Sequence, residues 1–457
     1  MTPALAVVPP PSVVHASEYA KSSSEPARPS PKVQAPSPRV TEYEAQAAAF
    51  TGAGVAAPGQ GFSLLDAVNL GLSINPKVRA AVAEVAQANS EIDIAKSGYH
   101  PSLEMSAGPE TGSSGQVGYN VTVSQMLYDW GKVEKNVDSA SASMRNKSEE
   151  LLLVRDDVAL DIVETYLDVQ TGRERLAVIA EHFQRLETLQ ETIRERGNNG
   201  YADAAEGSRA ALSLAQASEQ LAIERGQLQD AQRQYRILIG EPSDQLVAPT
   251  EAALPAELTD DAQLDDVIRR APIYRKAQED VLVAEAQVGG ARAAMRPQVL
   301  LEGSTMRRDI GGAMTDDSVL ALRLRMDITQ GLSRFYRVDA EQQRLEAARW
   351  TLDNMERDLR RKLASLSETA AALHWREKAL DSQRSQAREV QSLYRAQFIV
   401  GMRDITDLLT IETELFEAER QLINTRSERQ RTQYRTAAQV GLLVPWLEGR
   451  LTAARQI

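Results

Sequence analysis

The longest uninterrupted helical pattern constrains this chain more than any other feature. No proline occurs from Gly131 to Asn198, and as one helix this run of roughly 68 residues would be about 100 Å long. Apolar residues recur within it at intervals of three and four, as in a helix that packs along one side. They are Leu176, Ile179, Phe183, Leu186 and Ile193. A helix of this length cannot fold back into a globule, so we expect it to pair with other long helices.

Two further segments carry the seven-residue spacing that is typical of coiled coils. The first has Leu214, Leu221, Leu228 and Tyr235, with Ala217, Ala231 and Leu238 between them. The second has Leu352, Leu359, Leu366, Leu373 and Leu380, followed by Ala387 and Tyr394. These patterns predict extended antiparallel hairpins that turn near residues 197–200 and 400–401.

The chain also contains an internal duplication, which is best sought before any other feature is interpreted. A helical pattern that begins at Pro76 ends near Pro101, and another that begins at Pro272 ends near Pro297. Further matches follow in the same order: Gly131 with Gly331, Gly200 with Gly401, and Gly240 with Gly441. An ordered series of matches indicates a duplicated unit of about 180 residues. Each unit reads as helix, strand, strand, long helix, helix.

The predicted strands alternate between apolar and polar residues. In the second copy three leucines alternate with charged residues, and in the first copy two valines hold the matching places. The apolar set is Leu320, Leu322, Leu324, Val121 and Val123, and the charged set is Arg323, Arg325 and Asp327. This pattern fits a strand with lipid on one side and water on the other. A strand of a soluble sheet would give the same alternation, so both interpretations stay open at this point.

Composition excludes several classes of function. The net charge of −12 argues against nucleic acid as a partner, because phosphate binding needs a basic surface. The absence of cysteine removes disulfides, thiolate metal sites, cysteine nucleophiles and the N-terminal cysteine of a lipid-anchored form. Phosphate-loop, paired-histidine and nucleophile-elbow motifs are also missing. We therefore expect no enzyme activity, no cofactor and no metal site.

Some residues could still be mistaken for a catalytic site. Adjacent carboxylates occur at Asp156 and Asp157 and at Glu149 and Glu150. We interpret both pairs as solvated helix faces, and the four histidines as surface or packing residues. Proline, serine and alanine dominate the start of the chain, and Val14 to Ala16 could be the cleavage site of a signal peptide.

We predict five segments. Residues 1–60 are a possible signal remnant and a disordered segment, 61–245 the first repeat, and 246–258 a linker. Residues 259–445 are the second repeat, and 446–457 a C-terminal tail.

Two local motifs point to a known family. Where the first copy's strand becomes the long helix, the sequence reads Gln-Met-Leu-Tyr-Asp-Trp-Gly over 125–131. At the second hairpin turn, 401–409 follow the pattern Gly-x-Arg-x-x-x-Asp-x-Leu. Together with the duplicated strand-and-coiled-coil unit, over about residues 62–445, the chain resembles the TolC family of outer-membrane channel proteins. The second strand exit keeps Gly331 but lacks the aromatic residues.

The resemblance implies a mostly α-helical chain with a small β part, built from two tandem repeats. Long coiled-coil hairpins would form a trimeric α-barrel, and four strands per chain would contribute to a 12-stranded transmembrane β-barrel. The implied location is the outer membrane with a long periplasmic extension. The implied partners are two further copies, a periplasmic adaptor protein, an inner-membrane ABC or RND-type transporter and outer-membrane lipid. Exported protein and small molecules both remain possible as cargo, and a soluble periplasmic coiled-coil scaffold is the alternative.

The resemblance also assigns roles to residues at the hairpin turns. The implied gate residues are Arg403, Asp407, Glu206 and Phe398, and an ordinary exposed helix pair is the alternative for Arg403 and Asp407. The implied docking residues for the adaptor are Arg196, Gly200, Asp203, Gly401 and Asp404, and plain loops without a partner are the alternative for both turns. Thr410 stands where the family pattern has a second aspartate.

At the strand exit, Tyr128 and Trp130 are expected to lie at the membrane interface, where aromatic rings with a polar end are enriched. A packing role at the junction of sheet and helices is the alternative for both.

Overall fold

The computed structural model of the chain describes residues 62–109, 117–198, 203–242, 246–249, 261–310, 313–326 and 333–449. The helices in chain order are α1 (Leu64–Ile74), α2 (Pro76–Ser97), α3 (Lys132–Asn198), α4 (Ala204–Ile239), α5 (Asp261–Arg270), α6 (Pro272–Ala293), α7 (Ser333–Ile399), α8 (Ile405–Gln439) and α9 (Leu443–Leu447). The strands are β1 (Ser102–Pro109), β2 (Val117–Tyr128), β3 (Gln298–Ile310) and β4 (Ala313–Arg325). They form one antiparallel sheet in the order β1-β2-β3-β4.

The predicted duplication is confirmed by the order and length of the elements. Helices α3 and α7 each have 67 residues, and α2 and α6 each have 22. Both shorter helices begin with proline at the first position, where its missing N–H costs no hydrogen bond. A short helix precedes each of them, α1 and α5, and the sequence interpretation missed both. Helix α1 begins with a capping box in which Ser63 and Asp66 exchange hydrogen bonds.

The long helices pair as predicted. Helix α3 packs against α4 along one part of its length and against α2 and α6 along another, and α7 packs against α8 and α6. Helix α3 also contacts α8, so the two hairpins lie side by side. Leu228 and Tyr235 are buried in the first seven-residue seam, and Leu359 and Leu380 in the second.

The buried apolar residues form separate clusters along the helices. The largest joins α1, the middle of α3, the end of α4 and the C-terminal segment, and contains Tyr166, Tyr235 and Trp446. A second lies near the hairpin turns and contains Phe398, Ile405 and Leu408. A third joins α5 to α7. Within the described residues no helix has the length and apolar character needed to cross a membrane.

One sequence interpretation needs correction. Asp156 and Glu149 do not lie on solvated faces, because both are buried. Asp156 accepts hydrogen bonds from the backbone N–H groups of Leu443 and Val444, both at 3.3 Å. The segment predicted as a tail from 446 begins with a packed residue, since Trp446 is buried beside Tyr434.

The segment predicted as a linker from 246 also starts inside the fold. Leu246 is buried and forms a bridge with Phe62. The hydroxyl of Tyr166 donates to the carbonyl of Val247.

Candidate functional site

The register of the sheet separates its two faces by polarity. Leu103 pairs with Val123, Val123 with Gly303, and Gly303 with Leu320. Since paired residues of antiparallel strands point to the same face and side chains alternate along a strand, one face collects the predicted apolar residues. They are Val121, Val123, Leu320, Leu322 and Leu324, together with Leu103 and Met105. The side chain of Leu320 is 75% exposed, so this apolar face is uncovered in the single chain.

Polar and charged residues occupy the opposite face. Arg323 and Arg325 both point there, and both lie near Glu302 of the neighbouring strand. The Arg323 Nε to Glu302 Oε1 distance is 3.1 Å, and the Arg325 Nη2 to Glu302 Oε2 distance is 3.7 Å. Asp327, predicted for the same face, lies outside the described residues. The face is therefore suited to contact with water.

A β-bulge changes the direction of the aromatic residues at the exit of β2. The register shifts between Met126 and Tyr128, so that Tyr128 pairs with Val299. Val299 pairs with Leu324, which places Tyr128 on the apolar face. The ring centroids of Tyr128 and Trp130 are 4.9 Å apart in an edge-on arrangement. Both aromatic residues therefore lie at the helix-proximal edge of the apolar face.

Asp129 makes the turn from strand to helix. Its carboxylate accepts hydrogen bonds from the N–H groups of Gly131, at 3.0 Å, and Val133, at 2.6 Å. Trp130 has a φ of 61°, a left-handed conformation that residues with a Cβ rarely adopt. Its indole N–H donates to the carbonyl of Pro297 at 2.8 Å. This bond ties the strand exit of the first repeat to the strand entry of the second.

The second hairpin turns at Gly401, where a φ of 79° favours glycine. Asp404 begins α8 by accepting a hydrogen bond from the N–H of Thr406 at 2.9 Å, and this bond lowers the pKa of its carboxyl. Arg403 and Asp407 come together with an Nη1 to Oδ2 distance of 3.0 Å. The Arg403 guanidinium also lies 4.0 Å from the ring centroid of Tyr394. Arg403 therefore links the two helices of one hairpin.

The first hairpin is joined to the second close to this turn. Arg196 donates to the carbonyl of Phe398 at 2.7 Å, and its guanidinium lies 4.5 Å from the centroid of that buried ring. Arg209 donates to the hydroxyl of Thr406. The sequence interpretation had not assigned Arg209, because its partner lies 197 residues away.

Two residues of the first turn are less connected. Asp203 caps α4 by accepting from the N–H of Glu206 at 2.8 Å. Across the part of the chain that the structure describes, Glu206 has no ion-pair partner. Gly200 lies outside the described residues. The structure thus brings Arg403 to Asp407 and Arg196 to Phe398, and it does not bring Glu206 to either pair.

A buried charge cluster between the hairpins was also missed. Arg185 of α3 reaches Glu412 and Glu419 of α8, at 3.0 and 3.6 Å, and Arg388 of α7 reaches Glu419 at 2.7 Å. Nearby, His182 stacks on Phe416 with ring centroids 4.6 Å apart. Burial and the charge of Arg185 lower the pKa of His182 to about 4, so this histidine is a neutral packing residue. No group of three or more metal-ligating side chains occurs among the described residues.

These features match a known family. The outer membrane efflux protein family matches residues 67–241 and 264–441, one segment for each repeat. The chain belongs to this family. Its localisation is therefore the outer membrane, with the long helices in the periplasm, and its fold is that of channel proteins rather than of enzymes. The resemblance to TolC-type channel proteins is confirmed.

Similarity to individual proteins supports this assignment. Protein CyaE of Bordetella pertussis is 27% identical over 315 residues, which cover 62% of this chain and 65% of CyaE. The pyoverdine export outer membrane protein OpmQ of Pseudomonas aeruginosa is 24% identical over 392 residues, covering 77% and 79%. The crystal structure of the outer membrane protein VceC from Vibrio cholerae shares the fold with a TM-score of 0.71 at 16% identity, over 83% of this chain and 96% of VceC. The match to CyaE thus spans just under two thirds of that relative.

Proposed function

We propose that this chain is the subunit of a homotrimeric duct that exports cargo across the periplasm and outer membrane. The observation that carries the proposal is an open sheet with an uncovered apolar face. In the described sheet, β1 pairs only with β2 and β4 pairs only with β3. Unpaired strand edges cannot persist in lipid, because their N–H and C=O groups would lack partners. Pairing of β4 with β1 of the next copy removes every edge when the ring closes.

The helices have two matching edges. Helix α7 borders one side of the layer, and α2 and α4 border the other. Each border exposes large apolar residues, and those on α7 and those on α4 are spaced by near multiples of a helical turn. On α7 they are Tyr336, Trp350, Trp375 and Leu393, and on α2 and α4 they are Ile94, Leu212, Ile223 and Ile237. A head-to-tail contact between these borders generates a ring when the rotation closes, and three copies give the trimer.

The experiment combines cross-linking with a change of the sheet face. Because the chain has no native cysteine, Leu212→Cys with Leu393→Cys should give disulfide-linked trimers in outer membranes and no larger species. Adding Leu322→Arg should abolish them, since a cation facing mid-membrane lipid costs roughly 2–4 kcal/mol. Adding Arg323→Leu, a neighbouring change on the polar face, should leave them intact. A series of cross-linked species larger than the trimer would refute the duct. Equal trimer yields with Leu322→Arg and Arg323→Leu would also refute it.

The export partners follow from the same proposal. We propose that the hairpin turns, with Arg196, Gly200, Asp203, Gly401 and Asp404, meet a periplasmic adaptor protein that connects the duct to an inner-membrane ABC or RND-type transporter. The similarity to a pyoverdine export protein supports small-molecule cargo, and exported protein remains the second candidate.

The turn region is also the proposed gate. In a trimer, three copies of Arg403, Asp407, Glu206 and Phe398 would surround the periplasmic end of the duct. Arg403 holds the start of α8 against the end of α7 through Asp407 and Tyr394, so its removal should loosen the closed turn. Carboxylates in a narrow pore concentrate cations.

Planar-bilayer recordings test the gate. Arg403→Ser should raise the resting conductance severalfold, and Asp407→Asn should lower cation selectivity. Arg395→Ser is the control, because it also removes one positive charge but from a residue that makes none of the contacts described at the turn. Wild-type conductance and selectivity in both variants would remove the gate assignment without affecting the trimer.

A further inference from the structure

The edge of the apolar sheet face carries a cation on an aromatic ring. The guanidinium of Arg296 lies 4.8 Å from the ring centroid of Trp130. Trp130 is 42% exposed and touches Tyr128, which the β-bulge turns onto the apolar face. The arrangement therefore joins an apolar surface, two amphipathic rings and a positive charge in one place.

Apart from its contact with the Trp130 ring, the charge of Arg296 has no partner within the described part of the chain. No carboxylate there lies within ion-pairing distance of Arg296. The nearby carboxylate of Asp129 is directed to the N–H groups of Gly131 and Val133. Within the described residues, Arg296 at this edge therefore has no carboxylate partner, and its charge can meet an anionic ligand from outside the chain.

We propose that Trp130 and Arg296 bind the headgroup of an anionic glycerophospholipid in the periplasmic leaflet of the outer membrane. The proposal rests on the duct function, which places the apolar face in lipid. Acyl chains then cover the leucines and valines of that face, and the phosphate lies at its helix-proximal edge. A planar guanidinium suits phosphate oxygens because it donates two parallel hydrogen bonds. The stacked indole and its bond to Pro297 hold the guanidinium at the level of the headgroups.

The site differs from a general attraction of basic protein for anionic membranes. Its geometry depends on the left-handed backbone at Trp130 and on the bulge, which aim both rings at the same edge. Arg270, an exposed arginine at the end of α5, has no aromatic partner among the described residues. Arg270 is therefore a matched control with the same charge.

The test uses the full-length trimer in detergent and native mass spectrometry. Titration with phosphatidylglycerol should show about fivefold tighter retention than titration with phosphatidylcholine, since one basic residue near an anionic headgroup gives about that factor. Arg296→Gln should reduce the preference to less than about twofold. Arg270→Gln should leave it unchanged, and Trp130→Leu should weaken it.

Two results from the variant and competition experiments would overturn the site. One is an unchanged preference in Arg296→Gln. The other is full competition by glycerol phosphate without acyl chains, which would show a site for free phosphate rather than for lipid. Conductance in phosphatidylcholine bilayers tests the duct separately from the lipid site. If Arg296→Gln conducts normally but has lost the lipid preference, both proposals are supported. A wild-type chain that conducts normally with no lipid preference overturns the lipid site alone.

Discussion

Helix α3 is held on two sides by different kinds of contact. Toward α4 the contact is apolar: Leu228 packs over Gly172, and the rings of Tyr166 and Tyr235 meet edge-on with centroids 6.2 Å apart. Toward α8 there are apolar contacts as well, such as His182 stacked on Phe416, but four polar pairs are added along the length of the contact. They are Glu164 with Arg435 at 2.6 Å, Thr171 with Ser427 at 2.8 Å, Arg175 with Asn424 at 2.7 Å and Arg185 with Glu412 at 3.0 Å.

The difference separates the contacts within a hairpin from those between hairpins. An apolar seam loses its stabilisation as soon as water enters it, because its free energy comes from burial. A polar pair can exchange its hydrogen bond for bonds to water at a much smaller net cost, since the net value of a hydrogen bond is about 1 kcal/mol. Each hairpin should therefore behave as one rigid unit, and the surface between hairpins should be the place where they can shift.

Arg185 is the exception that should show the largest effect. It lies between two buried carboxylates, so Arg185→Met leaves Glu412 and Glu419 without their shared cation. Breaking a buried pair in this way costs about 3–5 kcal/mol, and we expect a correspondingly large fall in the thermal midpoint of the trimer, followed by circular dichroism in detergent.

The control for Arg185 is on the same helix. Arg194 is paired with Glu191, but its side chain is 73% exposed, and Arg194→Met should cost less than about 1 kcal/mol. Equal losses of stability in the two variants would mean that water reaches the charge cluster, and that Arg185 does not hold the two hairpins in a fixed position.

The apolar seam should show the next largest effect. Leu228→Ala removes a buried side chain that fills the space above Gly172, and such truncations cost about 2–4 kcal/mol. Leu228→Met keeps the volume and should cost less than about 1.5 kcal/mol. The free energy of unfolding in urea measures both. If Leu228→Ala were neutral, the two helices of the first hairpin would not form a rigid unit.

The apolar seam could be predicted from the sequence and the polar contacts between hairpins could not, for a physical reason. Apolar residues at intervals of seven are visible as a pattern, and Leu228 and Tyr235 were predicted from it. A charged residue on a helix looks the same whether it meets water or a partner 227 residues away, as Arg185 meets Glu412. The faces of the sheet follow from alternation, whereas the bulge that redirects Tyr128 has no signal in the sequence.

Asp156, a buried polar residue of α3 beside the C-terminal segment, should show the smallest effect on stability, and this effect depends on pH. Burial raises the pKa of its carboxyl from 3.8 to about 7, although the N–H groups of Val444 and Leu443 and the charge of Arg155 act in the opposite direction. Between these two values the folded chain keeps a proton that the unfolded chain has released. The stabilisation is therefore complete below the lower value and is lost as the pH rises toward 7. From pH 5 to pH 8 the titration of this group alone should lower the free energy of unfolding by roughly 2–3 kcal/mol, at about 1.4 kcal/mol per pH unit.

Asp156→Asn should abolish this part of the pH dependence of the thermal midpoint, and Asp157→Asn, at the exposed neighbouring position, should retain it. An identical pH dependence in wild type and Asp156→Asn would show that water reaches the carboxylate, and that the C-terminal segment is held by Trp446 and its apolar neighbours alone.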